Sequence, residues 1–221
     1  MNSINIDGNT IRFVIRRRNV KYPRLEFSEN ILTLIIPKNR KKWRELIKQK
    51  KNWILSKYKE LKKIIDENGY LSKEFIFFGK KVKVEVSNDK VKIGKKIVGR
   101  SFLDINKKLK GVLSKKISKI ADEYSKKLGV KYNKILIRRQ KTKWSSCSTR
   151  GNLTFNIKAI SLPEDLLRYL VYHEVLHFLE RNHSIRFIKL LEKEFPNFRE
   201  KEEELKRYWI ILNENFWWKK I

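Results

Sequence analysis

The chain of 221 residues holds three histidines, and all of them fall in HEVLHFLERNH, residues 173–183. His173 and His177 are four apart. In an α-helix that spacing is a rotation of about 40° and a rise of about 6 Å, so both imidazoles leave one face, one turn apart. Two neutral ring nitrogens so placed can bind one metal ion. Glu174 lies about 100° round from His173, so its carboxylate falls beside such an ion. There it can take a proton from a water that the ion has acidified. Two ligands and a general base on one helical turn are the logic of an HExxH pattern. A lone histidine on an apolar helix is ordinarily a core residue, but here the match uses the whole histidine supply.

A catalytic zinc takes three protein ligands. His183 would leave the shared face if the helix ran on straight, so the helix must end or bend before it. Asn182 tolerates left-handed backbone, and Ser184 can cap a following helix. A turn there would return His183 to the ion. The resulting HExxHxxxxxH spacing is that of metzincins, without their midway glycine; Glu180 stands in that place. The alternative third ligand is a downstream carboxylate, Glu194 or Glu200. Imidazole ligands favour Zn²⁺. Leu166, Leu170, Val171, Leu176 and Leu179 make the helix apolar around the motif and predict its burial. Tyr169, Tyr172 and Tyr208 are candidate donors to a developing oxyanion, or plain structural tyrosines.

The elements that must position these residues follow from periodicity. TIRFVIRRR (10–18) and ILTLIIP (31–37) alternate and read as strands joined by a turn. Residues 41–69 carry apolar residues at helical spacing, with Asn68-Gly69 as the stop. Residues 75–94 return to alternation, with a turn at Asn88-Asp89. A second amphipathic helix runs from about Asn106 to Leu128 and ends at Gly129. KILIRRQ (134–140) and NLTFNIKAI (152–160) read as strands around a polar, turn-rich stretch, KTKWSSCSTRG (141–151). Residues 161–182 open with Ser161 as a cap, then Pro163 and acids, and read as the metal-bearing helix. Another helix follows Ser184 and stops before Pro196, and a last one starts near Arg199. The fold class is α+β: an antiparallel β-rich N-terminal part, residues 1–100 with one long helix, followed by a helix-rich catalytic part, residues 101–221.

The net charge is +30. Residues 151–221 hold 12 Lys+Arg against 11 Asp+Glu, so the excess lies in residues 1–150. Such a surface attracts nucleic acid or another polyanion, and a lysine-rich composition alone is the plainer account of it. No stretch has the length and apolarity of a membrane span, so no membrane partner is expected. The opening residues do not read as a secretory signal, and the single cysteine, Cys147, suits a reducing compartment. Together these place the protein in the cytoplasm.

The segments IRRQKTKWSSCSTRGNLTFN (137–156), LPEDLLRYLVYHEVLHFLERNHSIRF (162–187) and FPNF (195–198) resemble the YgjP-like family of zinc-dependent metallopeptidases. That family shows a related K-T-R-W-G-S-C-S segment, an N-rich strand, HELxH, then N-H-S and an aromatic. The resemblance implies that His173, His177 and His183 bind zinc and that Glu174 is catalytic. It implies a zincin-like core with a strand above the active helix, here Asn152–Ile160, whose edge an extended peptide could join. Ser145 departs from the pattern, standing where the family usually has glycine. Cys147 is either a fourth, inhibitory metal ligand or a structural thiol.

The expected function is therefore a zinc-dependent hydrolase, a metallopeptidase in which Glu174 deprotonates a zinc-activated water, with a peptide or protein as substrate. Two rivals keep the metal. One is a nucleotide phosphohydrolase, which the basic half favours and the lack of a phosphate-cradling glycine loop disfavours. The other is a nucleic-acid-associated protein with a metal site.

Overall fold

The computed structural model describes residues 2–28, 31–39, 43–68 and 74–221. Contacts divide the chain into two compact units, Met1–Gly69 and Tyr70–Ile221. Among the described residues no helix is long and apolar enough to cross a membrane.

The first unit is a four-stranded sheet with two helices. Strands β1 (Asn2–Ile6), β2 (Asn9–Arg18), β3 (Arg24–Ser28) and β4 (Ile31–Pro37) lie in the order β1-β2-β4-β3. The two strands read from the sequence are not an antiparallel pair. β2 runs parallel to β4, because β3 intervenes and makes its own antiparallel pairing with β4. The expected helix is divided at Lys50 into α1 (Trp43–Gln49) and α2 (Lys51–Asn68); residues 41 and 42 and Gly69 of the expected stop lie outside the described residues. Leu46, Ile47 and Ile54 from the helices meet Ile11, Phe13, Leu32, Leu34 and Ile36 from the sheet in one buried cluster. β2 and β4 are both interior strands, and the near-continuous apolar run of β4 fits its burial.

The second unit begins with short strands: β5 (Phe75–Phe77), β6 (Lys80–Val82), β7 (Val84–Ser87), β8 (Lys90–Ile93) and β9 (Ile97–Gly99). Phe78 N donates to Ile160 O at 2.7 Å, Gly79 N to Ser161 O at 3.2 Å, and Asn215 Nδ2 to Glu74 O at 2.7 Å, which binds these strands to the helical part. The Phe78-Gly79 turn has positive φ at both residues, as a two-residue hairpin demands. A Cβ on Gly79 would lie 2.9 Å from Pro163 Cβ, so only glycine lets this turn approach so closely.

Helix α3 (Phe102–Leu128) is capped by Ser101, whose hydroxyl accepts from Asp104 N, and closed by Gly129 at φ 67°. It starts earlier than the periodicity suggested because Ser101 and Asp104 supply a true cap. Its buried stripe, Ile105, Leu109, Leu113, Ile117 and Ile120, follows helical spacing and packs on α4 (Glu164–Leu176), β9 and β10 (Lys134–Arg138). The chain continues through β11 (Ser145–Cys147), β12 (Asn152–Asn156), a 3₁₀ segment at Ile157–Ser161, and, after α4, helices α5 (Ile185–Glu194), α6 (Phe198–Glu214) and α7 (Phe216–Lys220). A β-rich beginning thus leads to a helix-rich end.

Candidate metal centre

Helix α4 carries His173 and Glu174 and places His177 at its C-terminal cap. The expected Ser161 cap is not used: its hydroxyl donates to Ile76 O at 2.8 Å and accepts from Trp218 Nε1 at 3.2 Å. The helix starts instead at Pro163, whose fixed φ suits the first turn. Lys116 pairs with Glu164 at 2.8 Å, Lys201 with Asp165 at 2.9 Å and Arg168 with Glu123 at 2.8 Å. These pairs tie α4 to α3 and α6, while Leu166, Leu170, Val171 and Leu176 are buried; Leu179, expected inside, is 41% exposed.

His183 does return. One ligand nitrogen from each of His173, His177 and His183 lies within 4.8 Å of the others, and the Nε2 atoms of His173 and His183 are 2.9 Å apart. The turn that brings it back uses no left-handed residue; Asn182 is not at positive φ. Helix α4 stops at Leu176, and Phe178 N and Leu179 N tighten the next turn by donating to Val175 O and Leu176 O. Glu180 then organises the corner. Its carbonyl lies 3.0 Å from His177 Nδ1, and its carboxylate accepts from Ser184 Oγ at 3.2 Å and pairs with Arg186 at 3.2 Å. Ser184 caps α5 by accepting from Phe187 N, the role expected of it. Phe187 is fully buried, and its ring centre lies 4.8–5.0 Å from all three imidazoles.

The donor set fits a metal ion. A carbonyl can only accept, so His177 Nδ1 carries the proton and Nε2 keeps its lone pair. Burial, and then the neighbouring His177 and His183, push the pKa of His173 down to about 3. Burial and His177 likewise lower that of His183. Neutral imidazoles are the form that ligates.

Glu174 is 5% exposed. Burial pushes its pKa up to about 7, against the opposing pull of the Ser145 hydroxyl, the Lys143 charge and the Cys147 backbone N–H. Ser145 Oγ donates to Oε1 at 2.7 Å; Oε2 is buried without a hydrogen-bond partner among the described residues. A buried oxygen left open beside converging imidazoles is suited to receive a proton.

The strand that holds Glu174 is β11, inside the stretch whose composition predicts a polar, turn-rich loop. It pairs antiparallel with β12, while β10 pairs parallel on the other side of β12. Asn152–Asn156 is therefore the central strand and has no free edge; the edge facing α4 belongs to Ser145–Cys147. Trp144 O accepts from Asn156 N and Ser148 N donates to Asn152 O, so by antiparallel alternation the backbone groups of Ser145 and Cys147 turn away from the sheet. Asn156, fully buried, fixes the loop that feeds this strand: its Nδ2 donates to Gln140 O at 2.8 Å and Lys143 O at 3.1 Å. Trp144 anchors it from the other side through Leu205 O and the Trp209 ring. A three-residue polar strand carries no periodicity, and nothing in residues 145–147 alone marks their pairing with β12 or Glu174.

The other candidates are engaged elsewhere. Glu194 pairs with Lys127, and the clustered set contains neither it nor Glu200. Tyr169 donates to Glu202 and Tyr172 to Leu190 O. Tyr208 is half-buried, its pKa raised by burial beside Glu204 and Asp165. Cys147 is half-buried and directs its thiol to Ser148 O at 3.7 Å.

Three imidazoles that could hold a metal ion, next to a buried carboxylate, are the apparatus of a metallohydrolase. The chain belongs to the YgjP-like family, whose metallopeptidase-domain profile matches residues 21–208. Its activity class is that of a zinc-dependent hydrolase, a metallopeptidase. It is also similar to two solved metallopeptidase zymogens. One is jannalysin of Methanocaldococcus jannaschii, at 28% identity over 41% of this chain and 88% of that one, TM-score 0.39. The other is abylysin of Pyrococcus abyssi, at 24% identity over 40% and 90%, TM-score 0.38. No curated protein matches the chain.

Proposed function

We propose that His173, His177 and His183 hold a zinc ion in a zincin-like core, and that Glu174 on the HExxH helix is the general base of peptide-bond hydrolysis. The observation that carries this reading is the convergence of all three histidines beside one buried carboxylate. When bound, zinc acts as a Lewis acid that acidifies water and polarises a carbonyl. Glu174 takes the proton of the attacking water at Oε2, the oxygen left free, while Ser145 holds Oε1 and fixes the carboxylate plane. The same carboxyl group then passes the proton to the leaving amine. Phe187 walls the imidazoles and keeps water from their apolar side. An extended peptide pairs with the outward backbone groups of β11 that Glu174 leaves open, which brings its carbonyl alongside Glu174.

Glu174→Gln keeps the shape and the ligands and removes the base. Zinc content by elemental analysis should stay at the wild-type level while cleavage of unfolded protein falls about 10²-fold or more. Undiminished cleavage would end the assignment. Running nucleoside triphosphates beside the peptides separates hydrolysis of peptide and phosphate bonds.

Arg12, Arg16 and Arg18 are exposed along β2, and a nucleic acid or other polyanion binding to them would lose affinity steeply with salt; affinity insensitive to salt would refute such a mode. A cytoplasmic setting accords with the free thiol of Cys147.

A further inference from the structure

Beside the metal centre lies a cleft of about 600 Å³, lined by His177 and Cys147 and by Lys131, Arg150 and Arg181. Its lining contains no acidic residue. Three carboxylates next to or bonded to the cleft's segments are already engaged. Glu180 accepts from Ser184 and pairs with Arg186, Asp122 accepts from the Tyr132 hydroxyl at 2.6 Å, and Glu174 accepts from Ser145. None of the three cations has an ion pair among the described residues, and all three are exposed.

The cations stand on fixed backbone. Arg150 rides a tight turn in which Gly151 N donates to Ser148 O at 2.9 Å and Asn152 N to Ser148 Oγ at 3.1 Å. The same turn is tied to the segment of Lys131 by Asn133 N to Gly151 O at 2.8 Å and Asn133 Nδ2 to Asn152 Oδ1 at 2.9 Å. Arg181 follows the corner that Glu180 secures. Two guanidiniums and an ammonium, none neutralised, therefore converge on a space that begins at a candidate metal ligand. Guanidinium recognises carboxylate through paired N–H donors, and a pre-set site loses little entropy on doing so.

We infer that this cleft is a specificity pocket for a carboxylate near the scissile bond, an Asp or Glu side chain or the C-terminal carboxylate of a peptide, read by Arg150, Arg181 and Lys131. The inference rests on the peptidase reading above and names the substrate class of that site: acidic peptides.

The test uses the zinc-loaded full-length Glu174→Gln protein, which binds without cutting, and isothermal titration with otherwise identical neutral peptides. One carries Glu at its centre, one Gln and one Lys, all C-terminally amidated; a fourth is the Gln peptide with a free C-terminus. The Glu peptide should bind about tenfold tighter than the amidated Gln peptide, and the Lys peptide more weakly than both. Tighter binding of the free-acid Gln peptide instead assigns the pocket to the C-terminal carboxylate. Adding Arg150→Ala with Arg181→Ala should abolish the preference. Adding Lys107→Ala with Lys115→Ala, an equal charge loss on the exposed face of α3, should preserve it. Equal affinities for the Glu peptide and both Gln peptides, amidated and free-acid, no binding of any peptide, or equal loss in the α3 control overturns the inference. So does pyrophosphate displacing the Glu peptide while binding more tightly through the same two arginines, which would make the cleft a phosphate site. The two readings fail separately. Wild-type protein that cuts peptides without an acidic preference refutes only the pocket. An intact binding preference with no cutting refutes only the peptidase.

Discussion

Ser145 Oγ donates to Glu174 Oε1 at 2.7 Å, so an edge strand with no apolar pattern aims the carboxylate that the HExxH helix supplies. Ser145→Ala should leave zinc content unchanged and lower kcat about tenfold, the scale of one hydrogen bond to a charged group. Single-turnover kinetics with equal metal loading measure it. Unaltered kcat would show that Ser145 does not position the base.

Asn156→Ala removes the side-chain partners of Gln140 O, Lys143 O and Lys158 N. Buried groups left unpaired make this destabilising, by about 3 kcal/mol. Urea unfolding is the measurement. Asn156→Asp keeps the acceptor for Lys158 N and loses both donors, so it too should unfold at lower urea; wild-type midpoints in both variants would contradict the clamp.

Zinc that binds only the folded chain should raise stability by about 2.7 kcal/mol at a hundredfold excess over its Kd. In a chain of this size that is a Tm increase of roughly 5–10 °C. Calorimetry with and without zinc tests it, alongside His183→Ala. The variant should lose most of the increase and hold less zinc by elemental analysis; a full increase would remove His183 from the ligand set.

Glu180 fastens the corner by its carboxylate to Ser184 and Arg186 and by its carbonyl to His177. Glu180→Ala retains only the carbonyl. Exposed pairs add little to stability, so the expected change is in metal affinity, weaker by about tenfold. Competition with a zinc chelator reads it, and an unchanged Kd would mean that the backbone alone sets the corner.

Asp165, in the first turn of α4, gives a pH signature. Burial raises its pKa, but the hydrogen bond and charge of Lys201 outweigh this and leave it below the ordinary value of 3.8. The folded value is the lower one. Its contribution to stability is therefore complete above 3.8 and is lost as pH falls through the folded value. Asp165→Asn should flatten that part of the acid limb when unfolding midpoints are followed from about pH 5 to about pH 2. Parallel limbs in variant and wild type would exclude the pair as a contributor.

The sequence by itself determined what is local. His173, Glu174 and His177 share a helical turn because of residue type and spacing. Periodicity marked the amphipathic helices, Gly129 the end of α3, and Ser184 the start of α5. What only the tertiary structure decided are pairings between distant residues. β2 and β4 run parallel because β3 comes between them, and Ser161 gives its hydroxyl to Ile76 in place of capping α4. Ser145–Cys147 is a strand because β12 offers its backbone a partner and Asn156 holds the approach. Even the corner without glycine, legible as a problem in FLERN, was solved by Glu180 reaching groups before and after it. A hydrogen bond across a turn or between strands depends on where the chain returns in space, and no periodicity within one segment records that.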